Sequence, residues 1–224
     1  MTGPEYGCAD MSSDYPGLPA ANKGPAVRDP TGPEMTVRPE PGQVLHFSED
    51  PSITRFEPHV APTATMPGAL VWAVDAARSP GYWFPRDCPR AMAWARAGAA
   101  PADRDTILGP GGGDRVHAIE YGWLEAVRTA RLFAYRLPAA SFAPVGEPEP
   151  HALVSVEPVE PLGPAEPVGS LLGLHEEAGI QPRVLPSLWP FWDAVIASTL
   201  GYSGIRLRHA RPRHPAPGPA SAGA

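Results

Sequence analysis

Proline governs what this chain can fold into. It supplies 32 of the 224 residues, and each one fixes a backbone dihedral, removes an amide donor and interrupts any helix interior it enters. With 23 glycines added, the two residues make up about a quarter of the chain, near the level of low-complexity sequence. Yet 43% of residues are hydrophobic and six are tryptophan, more apolar material than a chain that never folds carries. Both facts are met if prolines crowd into tails around a packed middle. Residues 1–41 hold eight prolines, no tryptophan and no periodicity longer than a few residues, which reads as a disordered, polyproline-like arm. From Gly201 onward no acidic residue occurs, and Arg206, Arg208, Arg211 and Arg213 precede a Pro/Ala/Gly tail; 211–224 reads as a second disordered segment. The globular unit is then 42–210, a size that buries roughly 70% of its unfolded surface.

Within that unit strand and helix signals mix without a strict βαβ rhythm, which predicts one α+β domain: a small mixed or antiparallel sheet flanked by helices. Gln43–Ser48 alternates as a strand, with Leu45 and Phe47 on one face and Val44, His46 and Ser48 on the other. Leu70–Val74 is a continuous apolar run suited to a strand buried on both sides. Pro89–Ala97 reads as a helix opened by proline and stopped by Gly98. Ala102–Asp114 reads as a loop, Val116–Ile119 as a short strand or turn and Trp123–Ala130 as a short helix. Leu132–Leu137 and His151–Val159 alternate as strands. Ser170–Ala178 reads as a helix closed by Gly179, with a short strand through Arg183–Leu185 after it. Pro190–Leu200 reads as an amphipathic helix capped by Gly201. Trp189 and Trp192, at its start, are read as core packing.

Composition narrows function by exclusion. A net charge of −6 and a pI near 5.6 argue against a nucleic-acid scaffold. Lys23 is the only lysine among 18 basic residues, which reads as coding bias. The start lacks the basic and apolar regions of a secretory signal, and the longest apolar runs fall far short of the roughly 20 residues of a membrane span. Cys8 and Cys88 cannot form a disulfide framework, so the expected compartment is the cytoplasm. Gly109–Gly113 lacks the Lys-Ser/Thr of a phosphate-binding loop. Leu174-His175-Glu176-Glu177 begins like a zinc-protease helix, but Gly179 stands where the second histidine belongs. His117 and Glu120, three apart, would share a helix face, most simply in a surface hydrogen bond. No G-x-S-x-G elbow occurs.

Three segments remain as candidate sites. His46, held on a strand with Ser48 beside it, is suited to donating hydrogen bonds to a ligand hydroxyl or to acid–base work; the plainer reading is a backbone-satisfied histidine before an Asp50-Pro51 turn. In Gly81-Tyr82-Trp83-Phe84-Pro85-Arg86-Asp87-Cys88-Pro89-Arg90, Asp87 or Cys88 would cap the expected helix. Arg86 and Arg90 would then flank an anion-binding N-terminus, which would also lower the Cys88 pKa if the thiol were exposed. The plainer reading is a cap, two solvated arginines and an apolar cysteine. In His151–Pro161, Val154 and Val156 facing the core would put His151, Ser155 and Glu157 on the opposite face; the plainer reading is a solvated edge strand blocked by Pro158 and Pro161.

The motifs HFSEDPSITRFEPH at 46–59, LVWAVD at 70–75, YWFPRDCPR at 82–90, RVHAIE at 115–120, EPVEPL at 157–162 and LWPFWDAVIASTLGYSGIRLR at 188–208 resemble an uncharacterised bacterial family of small soluble proteins, and that resemblance implies no activity. More distantly, the order of a strand-borne His, an aromatic segment and a late Glu is similar to the His–Tyr–Glu pattern of ADP-ribosyltransferase folds. That resemblance implies His46 as anchor of the nicotinamide-side ribose, Tyr82 as the ring stacking on nicotinamide, and Glu157 as the catalytic carboxylate, with Glu160 as its substitute if the register slips. Pro158 after the glutamate and Ser155 in the acceptor-selecting place depart from the pattern.

The leading expectation is therefore binding of NAD, as substrate, or a related nucleotide in a cleft lined by His46, Ser48, Tyr82, Arg86, Arg90 and Glu157, with glycosidic cleavage or ADP-ribosyl transfer as its chemistry. The runner-up is a non-catalytic binding or protein-interaction module. A thiol enzyme or redox sensor using Cys88 comes third.

Overall fold

The computed structural model describes residues 37–60, 68–110, 113–146 and 151–213. The two expected disordered segments lie outside the described residues except at 37–41 and 211–213. Those margins are packed: Val37 is buried in the largest core cluster, the Arg38 carbonyl accepts from Arg136 Nη1 at 2.9 Å, and Arg211 and Arg213 are bonded to Glu120 and Asp193.

The strands in chain order are β1 (Gln43–Ser48), β2 (Val71–Ala73), β3 (Arg90–Trp94), β4 (Arg115–Glu120), β5 (Phe133–Pro138), β6 (Ala143–Val145), β7 (Ala152–Ser155), β8 (Glu166–Pro167), β9 (Gln181–Leu185) and β10 (Gly201–Ile205). The helices are α1 (Pro101–Asp103), α2 (Leu124–Thr129), α3 (Leu171–Glu177) and α4 (Trp189–Ile196). The domain is α+β, as expected, but its strands form three small sheets: β1-β5-β8, β2-β7-β6 and β10-β3-β4-β9. All the pairings are antiparallel except β4 with β9, which is parallel. The first two sheets are stitched by a single bridge, Leu45 with Val74, through two backbone hydrogen bonds of 2.8 Å. No helix of the described residues is long and apolar enough to cross a membrane.

β1 shows how the sequence builds this. Leu45, with Phe47 packed nearby, joins a core shared with Val74, Cys88, Ile119, Val127, Leu171 and Leu174. Val44, on the other face, joins Phe56, Val71, Ala73, Tyr135, Leu137 and Val159. Strand alternation thus feeds two cores from one strand.

The expected helix at Pro89–Ala97 is instead the central strand β3, between β10 and β4. Ala91 and Ala93 point to one side and Arg90 and Met92 to the other, and all four are buried. A short helix cannot bury residues all round against two hydrogen-bonded neighbours, so tertiary pairing overrides the helix propensity of Ala and Met. β6, β8 and β10 were not expected. Gly201, read as a helix cap, is the first residue of β10, packed so closely under Trp94 that an added Cβ would lie 2.2 Å from the indole nitrogen. His117 and Glu120 lie on a strand, where a spacing of three puts them on opposite faces.

Candidate functional site

β1 presents His46 on the face of the second core, its ring tilted against Phe56 at a centroid distance of 4.6 Å. Its Nδ1 lies 2.8 Å from the Trp72 carbonyl. A carbonyl only accepts, so Nδ1 carries the proton and donates, and in the neutral ring Nε2 is the bare acceptor. Burial holds the pKa below its ordinary value; the Trp72 bond opposes this, and electrostatic interaction with Arg86 and His59 reinforces it. Nε2 has no protein partner among the described residues. The backbone thus locks the ring's orientation and tautomer and leaves one nitrogen available.

Arg86 reaches this neighbourhood because its loop is tied to the end of β1: its backbone N–H donates to Glu49 Oε1 at 3.1 Å. Its side chain is exposed and makes no hydrogen bond or ion pair among the described residues. His59, also exposed, is held by backbone bonds with Leu70. A guanidinium with no partner among the described residues and a second histidine therefore lie near enough to act on an oriented neutral imidazole beside the β1–β2 junction. This set can accept a hydrogen bond from a hydroxyl and offer positive charge to an anion.

The other expected site residues take different places. Ser48 is buried and its Oγ accepts from the Asp50 N–H at 3.2 Å; it builds the turn after β1, which Tyr135 clamps by donating to the Asp50 carbonyl and accepting from the Ile53 N–H. Tyr82 packs against the largest core, its hydroxyl pushed up by burial, with Arg90 over its ring at 5.8 Å. Arg90 is not at a helix N-terminus, since no helix exists there. It is buried, donating from Nε to the Gly81 carbonyl and from Nη1 to the Cys88 carbonyl, stacked over Phe84 at 5.0 Å, with its pKa pushed down to about 10 by burial. Cys88 is fully buried and desolvation pushes its thiol up to about 12, the reverse of the activation a nucleophile needs.

The Glu157 segment reverses the expected faces. β7 ends at Ser155, which is buried, while Val156 is 74% exposed. Ser155 Oγ bonds both the N–H and the carbonyl of Glu157, so Glu157 sits on an exposed turn. That turn runs between the Ser155–Val71 pair and the Val159–Phe56 bridge. Glu160 is exposed and paired with Arg55 at 3.2 Å. Arg86 thus lies near enough to His46 to act on it, Glu157 makes no hydrogen bond with either, and Tyr82 and Arg90 belong to the core beside the four-stranded sheet.

One constellation was not foreseen. His117 and His175 are both buried, with His117 Nδ1 3.0 Å from His175 Nε2. Arg115 Nε donates to His117 Nε2 at 2.8 Å, and His175 Nδ1 lies 2.7 Å from the Leu171 carbonyl. A histidine in the apolar run Val116–Ile119 was the available signal, but β4 and α3 are brought together only by the tertiary fold. Among the described residues no group of three or more His, Cys, Asp or Glu is placed to hold a metal ion.

A family model described as a family of unknown function, DUF6886, matches residues 45–210. No curated protein and no solved structure matches the chain.

Proposed function

The chain belongs to the DUF6886 family, whose function is unknown, and from the site geometry we propose that it binds NAD or a related nucleotide beside the β1–β2 junction. The observation that carries the reading is His46, whose Trp72 bond leaves Nε2 as an oriented acceptor with no partner among the described residues. A ribose hydroxyl donates to that nitrogen, and Arg86, aided by His59, receives the phosphates. This differs from the expected cleft in using the histidine as acceptor and in leaving Ser48, Tyr82 and Arg90 to structural work. If turnover accompanies binding, it is cleavage of the nicotinamide glycosidic bond, with Glu157 or its neighbour Glu160 stabilising the oxocarbenium-like transition state. The burial of Tyr82 against the core and the exposure of Glu157 on a turn favour a second reading, a non-catalytic binding module.

The test is thermal unfolding of the full chain with NAD, ADP-ribose and inorganic phosphate. A ligand at a hundred times its dissociation constant stabilises by about 2.7 kcal/mol, a rise in Tm of about 5–10 °C for a domain of this size. The rise is expected with NAD or ADP-ribose and lost in His46→Ala and Arg86→Ala. No rise with any ligand contradicts the proposal. A rise unaccompanied by nicotinamide release, in a protein whose Glu157→Gln variant binds equally well, leaves binding as the whole function.

A further inference from the structure

The hydrogen-bond chain through His117 and His175 has one consistent arrangement of protons. Arg115 can only donate, so His117 Nε2 is bare; the Leu171 carbonyl can only accept, so His175 Nδ1 is protonated. The single hydrogen between the rings then belongs to His117 Nδ1 and is accepted by His175 Nε2. Both imidazoles are neutral and all their nitrogens are used. An added proton at His117 Nε2 faces the Arg115 N–H, and one at His175 Nε2 faces the His117 N–H. No shift of protons along the chain accommodates an extra one.

Among the described residues no carboxylate is bonded to either ring. Arg115 projects from β4 beside His117, and Arg90 from β3 lies close enough to act on it. Arg115 also acts on His175. The loop before β3 packs rings against the pair, Trp83 edge-on to His175 at 5.7 Å and Phe84 at 5.1 Å. β9 contributes Pro182 opposite His117, and on α2 Glu125 and Arg128 are exposed and pair with each other. Glu120, although on β4, points to the other face, where its oxygens accept from the backbone N–H groups of Leu188 and Arg211. On α3, Glu176 and Glu177 are exposed.

We propose that the Arg115–His117–His175 chain is an acid-sensitive clasp, and that uptake of one proton releases α3 from the four-stranded sheet. α3 carries Leu171 and Leu174 into the largest core, so its release opens the side of the molecule on which Trp83 and Phe84 pack. Desolvation and the two arginines hold His117 well below its ordinary value of 6.5, and desolvation lowers His175 in the same direction. A histidine with a depressed folded pKa contributes stability that is complete above the unfolded value and is lost as pH falls toward the folded one. The clasp is therefore closed at neutral pH and loosens below about pH 6.5.

Hydrogen exchange of the full chain at about pH 7.5 and about pH 5.5, corrected for intrinsic exchange rates, tests this. The expected result is about tenfold or greater loss of protection over residues 168–180 at the lower pH, with the β1–β5 ladder changed about twofold or less. Equal loosening of both regions, or none over 168–180, overturns the clasp. The variant His117→Gln with His175→Gln keeps donors and acceptors but cannot titrate; if it folds, α3 protection is expected to be independent of pH, and persistence of the effect overturns the proposal. If it does not fold, side-chain ¹⁵N spectra of the wild-type histidines decide. At about pH 7.5 both rings must be neutral, with His117 and His175 each protonated at Nδ1; either ring charged at that pH, or protonated at Nε2, overturns the clasp.

Discussion

Arg90 is a buried cation with no carboxylate partner among the described residues, and its position explains much of the segment that reads so suggestively in sequence. Two carbonyls, from Gly81 and Cys88, accept from its guanidinium, and the rings of Phe84 and Tyr82 lie beneath it. A planar, forked cation that stacks on aromatics suits such a place; a lysine ammonium, strongly hydrated and compact, does not. Arg90→Lys is expected to destabilise the fold by about 2 kcal/mol, through a lost charge-assisted bond and a poorly solvated ammonium. The urea midpoint measures it, and an unchanged midpoint contradicts the staple role. The same logic separates His46 from His117. Each is fixed by a neighbour and neutral, but His117 has both nitrogens engaged within the protein, whereas one nitrogen of His46 has no partner among the described residues.

At the scale of elements, α3 shows local sequence and tertiary structure in agreement. Ser170 caps it, its Oγ accepting from the Gly173 N–H at 3.1 Å, and Gly179 follows it with φ +64°, the left-handed conformation that glycine supplies most cheaply. Ser170→Ala is expected to cost about 1 kcal/mol, read as a lower denaturation midpoint with an unchanged m-value; no change contradicts the cap. Such signals are local, which is why the bounds of β1 and of α3 could be read from the sequence. β3 was misread because its alternation is one of size, Arg90-Ala91-Met92-Ala93-Trp94, and a residue buried on either face carries no polar mark. β10 was missed because Gly201 and Gly204 look like breakers, whereas they leave room for Trp94 and Trp192. The candidate site was legible in the same uneven way. His46 on its strand followed from alternation, and Arg86 was singled out, but for an N-terminus that does not exist. That the Arg86 loop returns to the end of β1 depends on Glu49, thirty-seven residues away, and no local pattern encodes it.

Across the whole molecule, one strand joins two cores. Leu45 faces the core shared with α3 and the four-stranded sheet, while Val44 and His46 face the core formed with β2, Phe56 and Val159. The proposed ligand patch lies at the second core and the histidine clasp beside the first, so the two can be probed separately. The side-chain ¹⁵N spectrum of His46 in the full chain, followed as ADP-ribose is added at neutral pH, addresses the patch directly. Without ligand, His46 should appear as the neutral form protonated at Nδ1, the one tautomer able to donate to the Trp72 carbonyl. On saturation, the Nε2 resonance should move as it accepts a hydrogen bond, while those of His117 and His175 stay in place, and Arg86→Ala should weaken the titration. An Nε2 resonance that does not move at saturating ligand, or a His46 already protonated at Nε2 without it, would contradict the account.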